Sequence, residues 1–96
     1  MKPGDVETLK RSESFRADVL NAPEDVRRDA IAVLDLLVRN PAASSLRCHP
    51  LSGYSKPTIF KIDVRPNKSW QITFEMDGKT AILRRLGTHK QLDRRP

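Results

Sequence analysis

Between Glu24 and Arg39 apolar residues recur at intervals of three and four, at Val26, Ala30, Val33, Leu34, Leu37 and Val38. This is the spacing of one buried helical face. Glu24 and Asp25 in the first turn and Arg39 in the last suit the helix dipole, and Asn40-Pro41 ends the element. After Pro57 the period changes to two. Phe60, Ile62 and Val64 alternate with Lys61, Asp63 and Arg65, and Trp70, Ile72, Phe74 and Met76 alternate with Gln71, Thr73 and Glu75. These are strands with one apolar and one polar face. Pro66-Asn67-Lys68-Ser69 supplies the turn between them, and Asp77-Gly78 a hairpin turn into a third strand, Thr80 to Leu86. Ala81-Ile82-Leu83 is apolar on both sides, as in a covered, central strand.

The flanks are less periodic. Val6 to Leu9 predicts a short strand, Ser12 a cap for a helix running to about Leu20, and Pro23 the first turn of the helix that follows. Ala42 to Lys56 reads as a loop with one helical turn or a short edge strand, and Leu92 to Pro96 as a frayed tail. The expected architecture is α+β: two N-terminal helices packed on an antiparallel sheet of three to four strands, in a single domain covering residues 1–96.

Composition narrows the function classes. One cysteine, Cys48, gives no internal disulfide, and neither a secretory leader nor a membrane span is legible, so a cytoplasmic address and no membrane partner are expected. The formal net charge is +6, and from Ser44 onward eleven Lys and Arg face four Asp and Glu. That imbalance points to a polyphosphate partner, against the plainer reading of a solvated basic surface. No Gly-rich phosphate loop, nucleophile elbow or carboxylate cluster is present, and no cofactor is expected.

The two histidines are His49, in Cys48-His49-Pro50-Leu51-Ser52-Gly53, and His89, in Gly87-Thr88-His89. Imidazole, with an unperturbed pKa of about 6.5, can give and take protons near neutrality. RNA cleavage by internal transfer needs a base for the 2′-hydroxyl, an acid for the leaving 5′-oxygen and positive charge beside the phosphate. His89, at the end of a strand and beside a flexible Gly87, is the stronger candidate; His49 lies in the preceding loop. Lys61, Arg65, Lys68, Arg84 and Arg85 are candidate phosphate contacts, and Tyr54 a candidate base-stacking residue. Trp70 reads as core, and Cys48 lacks the companions of a metal site.

Ser-x-x-Phe-Arg in the first helix, Asn-Pro after the second, His49-Pro50-Leu51-Ser52-Gly53 and Leu86-Gly87-Thr88-His89 stand in an order that resembles the RelE/ParE superfamily of bacterial type II toxins, in particular the YafQ-like messenger-RNA endonucleases. The resemblance implies a toxin that cuts messenger RNA on the ribosome and is held inactive by a cognate antitoxin. His49 and His89 then form its catalytic pair, with Arg65, Lys61, Lys68 and Arg84 stabilising charge. The same toxins carry a histidine where Asp63 stands and an acid near Asn67 or Lys68, and RelE carries an arginine where Gln71 stands. Those departures favour an alternative, a ParE-like member that acts by binding gyrase or only its antitoxin.

Overall fold

The computed structural model describes residues 3–65 and 69–96. In chain order the elements are β1 (Thr8–Arg11), α1 (Glu13–Asn21), α2 (Glu24–Arg39), a 3₁₀ turn (Ser44–Leu46), β2 (His49–Ser55), β3 (Thr58–Asp63), β4 (Trp70–Asp77), β5 (Thr80–Thr88) and α3 (His89–Arg94). The strands form one sheet in the order β1-β5-β4-β3-β2. No helix among the described residues is long and apolar enough to cross a membrane.

The pattern of the central elements is realised closely. Ser12 caps α1, its hydroxyl accepting from the Phe15 N–H, and α2 has the bounds its period predicts. Val26, Ala30, Leu34 and Leu37 meet Phe15 from α1 and Phe60, Ile62, Val64, Ile72, Phe74, Leu83 and Leu86 from the sheet in one buried cluster. Phe60 and Phe74 face each other across β3 and β4, their rings stacked with centroids 5.5 Å apart. Trp70 is half-buried against this cluster, as a core residue would be.

Two expectations are corrected. The sheet has five strands rather than three to four, and it is mixed, because β1 runs parallel to β5 while the other pairs are antiparallel. Within Ala42 to Lys56 the expected helical turn and edge strand are both present, as the 3₁₀ turn and β2; the residues of β2 are mostly exposed, so edge pairing rather than burial makes it a strand. The C-terminal segment is not a frayed tail after Leu92: α3 packs on the sheet and buries Leu92. The turn at Pro66-Asn67-Lys68, and with it the candidate contact Lys68, lies outside the described residues.

In β5 an extra residue interrupts the pairing with β4: Phe74 lies opposite Leu83, while Thr73 lies opposite Arg85. Such a bulge re-aims side chains. It sends the two neighbouring arginines to different partners, Arg84 to Glu75 and Arg85 to Asp18.

Candidate functional site

Alternation places a polar row on the sheet face turned away from the main core. Lys61 and Asp63 of β3 and Gln71 and Thr73 of β4 are the buried polar residues among those described. Asp63 lies opposite Gln71, and Gln71 opposite Gly87, so sheet pairing fixes this row without help from a loop. Gln71 donates its Nε2–H to Asp63 Oδ1 at 2.8 Å.

His89 is brought onto the row by the start of α3. Thr88 and Gln91 form a reciprocal capping box: Thr88 Oγ1 accepts from the Gln91 N–H, and Gln91 Oε1 accepts from the Thr88 N–H at 2.9 Å. A Cβ at Gly87 would stand 2.9 Å from that same Gln91 oxygen. A side chain at residue 87 would therefore crowd the Gln91 half of the capping box. As the first residue of α3, His89 sets Nδ1 3.3 Å from Gln71 Oε1 and Nε2 3.3 Å from Asp93 Oδ2.

His49 opens β2 directly opposite Lys61. Its Nδ1 lies 2.7 Å from the carbonyl oxygen of Arg47. Arg47 itself sits in the left-handed region, φ 49°, where a residue with a side chain is held only by its surroundings. That conformation ends the 3₁₀ turn and aims the carbonyl at His49, while the guanidinium Nε stands 3.5 Å from Asp63 Oδ2.

These contacts assign ring protons. A carbonyl oxygen only accepts, so His49 Nδ1 carries the hydrogen and the neutral ring leaves Nε2 free as a base. In His89 both nitrogens face acceptors, since the Gln71 Nε2 is committed to Asp63; only the doubly protonated ring uses both contacts. His49 lies in line with Lys61 and Thr73, two residues along β4 from Gln71, so the two ring anchors are two strands and two residues apart, roughly 12 Å.

The candidate cations separate. Lys61 is buried between His49 and Thr73 in the pairing and forms no ion pair among the described residues. Arg84 pairs with Glu75 at 3.1 Å and lines a cleft with Tyr54, Lys56 and Ile59. Arg85 is taken by Asp18. Arg65 is taken by α2, its Nη2 standing 2.8 Å from Asp25 and 3.1 Å from Asp29. Arg65 and Arg85 are therefore tied to structural partners far away in sequence. Tyr54 is exposed near the end of β2, where a base could stack on it.

The Arg65 pair has a pH consequence. Its hydrogen bond to Arg65 holds the Asp25 carboxyl below the usual aspartate range. A depressed folded value means that the pair's contribution is present above the ordinary aspartate pKa and is lost as pH falls through the folded one. Asp25→Asn should lower the Tm at pH 7, and the difference from the parent should shrink towards pH 3; a difference that grows on acidification would contradict the pairing.

Four residues of the network were not singled out from the sequence as contributors: Arg47, Asp93 and, except as departures from the resemblance, Asp63 and Gln71. The Thr-x-x-Gln pattern at Thr88–Gln91 and the four-residue spacing of His89 and Asp93 were legible signals. Nothing local marks the pairing of Gln71 with Asp63.

No family model matches the sequence, and no curated protein matches it significantly. Solved structures do match. A chain of the E. coli DinJ-YafQ toxin-antitoxin complex is 23% identical, with 90% of this chain and 96% of that one covered and a TM-score of 0.72. A chain of the RelB-RelE antitoxin-toxin complex from Methanococcus jannaschii is 22% identical over 91% and 99%, with a TM-score of 0.64. The YoeB dimer from Staphylococcus aureus matches at 11% identity over 86% and 97%, with a TM-score of 0.68. The chain has the fold of the RelE-like toxins.

Proposed function

We propose that this protein is the toxin of a type II toxin-antitoxin pair and that it cuts messenger RNA by histidine acid–base catalysis. The observation that carries the reading is the unequal partnering of the two histidines, one ring whose Nε2 has no partner among the described residues and one with both nitrogens facing acceptors. In this scheme His49 Nε2 takes the 2′-hydroxyl proton as the 2′-oxygen attacks phosphorus. His89 gives a proton to the 5′-oxygen as its bond to phosphorus breaks, leaving a 2′,3′-cyclic phosphate and a 5′-hydroxyl.

Lys61, beside His49 and without an ion pair among the described residues, stabilises the charge on the phosphorane oxygens. Arg84, half-neutralised by Glu75, and Tyr54 hold the neighbouring nucleotide in their shared cleft. Arg65, held by two carboxylates, is a weaker contributor than its sequence position suggests. Lys68 keeps the role of a candidate phosphate contact that its sequence gives it. Such a site gains from a substrate already oriented, which is what a ribosome-held message provides. The fold, shared with chains of two toxin-antitoxin complexes, and the basic C-terminal half support an acidic antitoxin segment as the natural inhibitor.

Primer extension on cellular messages after induction tests this reading. New 5′ ends that vanish when a cognate antitoxin is co-expressed are expected. Growth arrest without new ends would overturn the nuclease assignment in favour of a ParE-like protein that acts by binding alone.

A further inference from the structure

Asp63 is 3% exposed and touches neither histidine, yet a chain of contacts runs from it to each of them. On one side Oδ1 accepts from Gln71 Nε2 at 2.8 Å, and Gln71 Oε1 meets His89 Nδ1 at 3.3 Å. On the other, Oδ2 stands 3.5 Å from Arg47 Nε, and the Arg47 carbonyl meets His49 Nδ1 at 2.7 Å. We propose that Asp63 is the positioning residue of both histidines, fixing through Gln71 and through Arg47 which ring nitrogen carries the proton. The inference rests on the reading above, in which those rings move protons.

An amide side chain can present either end to a neighbour, so Gln71 alone specifies nothing. The ionised Asp63 offers only acceptors and therefore requires the Nε2 end. The Oε1 end is then turned on His89 and draws the ring hydrogen to Nδ1, against the pull of the Asp93 carboxylate on Nε2. Reversing the amide would set oxygen against oxygen beside Asp63, in a place where Gln71 is 1% exposed and water offers no substitute. The cross-strand pairing of Asp63, Gln71 and Gly87 keeps this arm in line.

The second arm works through the backbone. Arg47 occupies its left-handed conformation while its guanidinium is directed to Asp63, and the same conformation points its carbonyl at His49. This arm is the longer one: Asp63 Oδ2 is buried and has no well-formed hydrogen bond. At the position where the resemblance expects a histidine, Asp63 thus holds two histidines through their neighbours.

Imidazole ¹⁵N spectra of the free full-length protein, recorded at a pH where both rings are neutral, test the proposal without RNA. Both rings should be Nδ1–H in the parent. Gln71→Leu should switch His89 alone to Nε2–H, and Asp63→Leu should switch both. Asp63→Asn keeps the shape and has one acceptor to offer, so one histidine should switch; the shorter Gln71 arm is the one kept, and His49 is the ring released. Unaltered tautomers in folded Asp63→Asn and Gln71→Leu overturn the proposal, as does an Nε2–H ring at either site in the parent.

Cleavage supplies a second readout. Asp63→Leu and Gln71→Leu should lower kcat roughly 10- to 100-fold, the scale of a slightly misplaced catalytic group, with little change in KM. A rise in KM with kcat kept would mean a binding role and overturn the positioning one. Switched tautomers in a protein that cuts no RNA support the positioning and overturn the nuclease reading; cleavage with unaltered tautomers does the reverse.

Discussion

His89→Ala should abolish messenger-RNA cleavage, with a fall of about 10²–10⁴-fold, the usual contribution of a positioned proton donor. The leaving 5′-oxygen is a poor leaving group without that proton, and the site's other imidazole, His49, is engaged with the 2′-hydroxyl. Stability should hardly move. The ring is about half exposed and its ion pair with Asp93 is a surface one, so the change in unfolding free energy should stay within about 0.5 kcal/mol. His89→Gln sharpens the test, because an amide still donates a hydrogen bond but transfers no proton. Primer extension on one reporter message and urea unfolding of each variant measure both quantities. If folded His89→Ala cuts as well as the parent, the acid lies elsewhere; if His89→Gln recovers most of the activity, the ring only binds.

The elements that could be read from the sequence are those whose packing leaves a period. The one-sided burial of α2 writes three-and-four spacing from Val26 to Leu37, and β3 and β4 write alternation because one face meets the helices. β1, β2 and α3 leave weaker traces. β1 and β2 are edge strands with mostly exposed residues, so no apolar face is imposed on them, and a parallel partner 72 residues away has no local sign. The single buried side chain of α3, Leu92, cannot mark a helical face, although its capping box could have announced its start.

The site divides in the same way. His49 and His89 stand out because histidine is scarce and chemically distinctive, whereas the fate of each arginine is set by tertiary pairing. Arg65 and Arg85 looked like phosphate contacts in a segment poor in acids, yet their carboxylates come from α2 and α1, in the acid-rich first half. Asp63 and Gln71 read as two losses when taken singly. Side by side across β3 and β4 they become a donor–acceptor pair, a relation that strand register creates and spacing along the chain does not show.

Asp18→Ala should be strongly destabilising although Asp18 lies outside the proposed chemistry. β1 pairs with β5 only from Thr80 to Leu83, leaving the rest of that edge to α1. Ser12 takes up the Leu83 and Arg84 carbonyls, and in the second turn of α1 Asp18 takes the donors: Oδ2 accepts from the Leu86 N–H at 3.0 Å and from Arg85 Nε at 2.7 Å, and Oδ1 from Arg85 Nη2 at 3.2 Å. Alanine leaves a main-chain donor and a guanidinium, both partly buried, without their acceptor. The expected loss is about 2–4 kcal/mol, more than an exposed ion pair and less than a fully buried one. Asp18→Asn should recover part of it, because the amide oxygen can still accept from the Leu86 N–H.

The bond to Asp18 raises the Arg85 pKa above its usual value. A raised folded value means that the contribution is complete below the unfolded arginine pKa and is lost only as pH rises through the folded one. The Asp18→Ala deficit should therefore be the same at pH 7 and pH 9 in urea titrations, unlike the Asp25→Asn deficit, which fades in acid. A deficit under about 0.5 kcal/mol would mean that β5 holds its own edge. Because β5 runs on through Gly87 to His89, Asp18→Ala should also loosen the start of α3, and faster exchange of the Leu92 amide would report it.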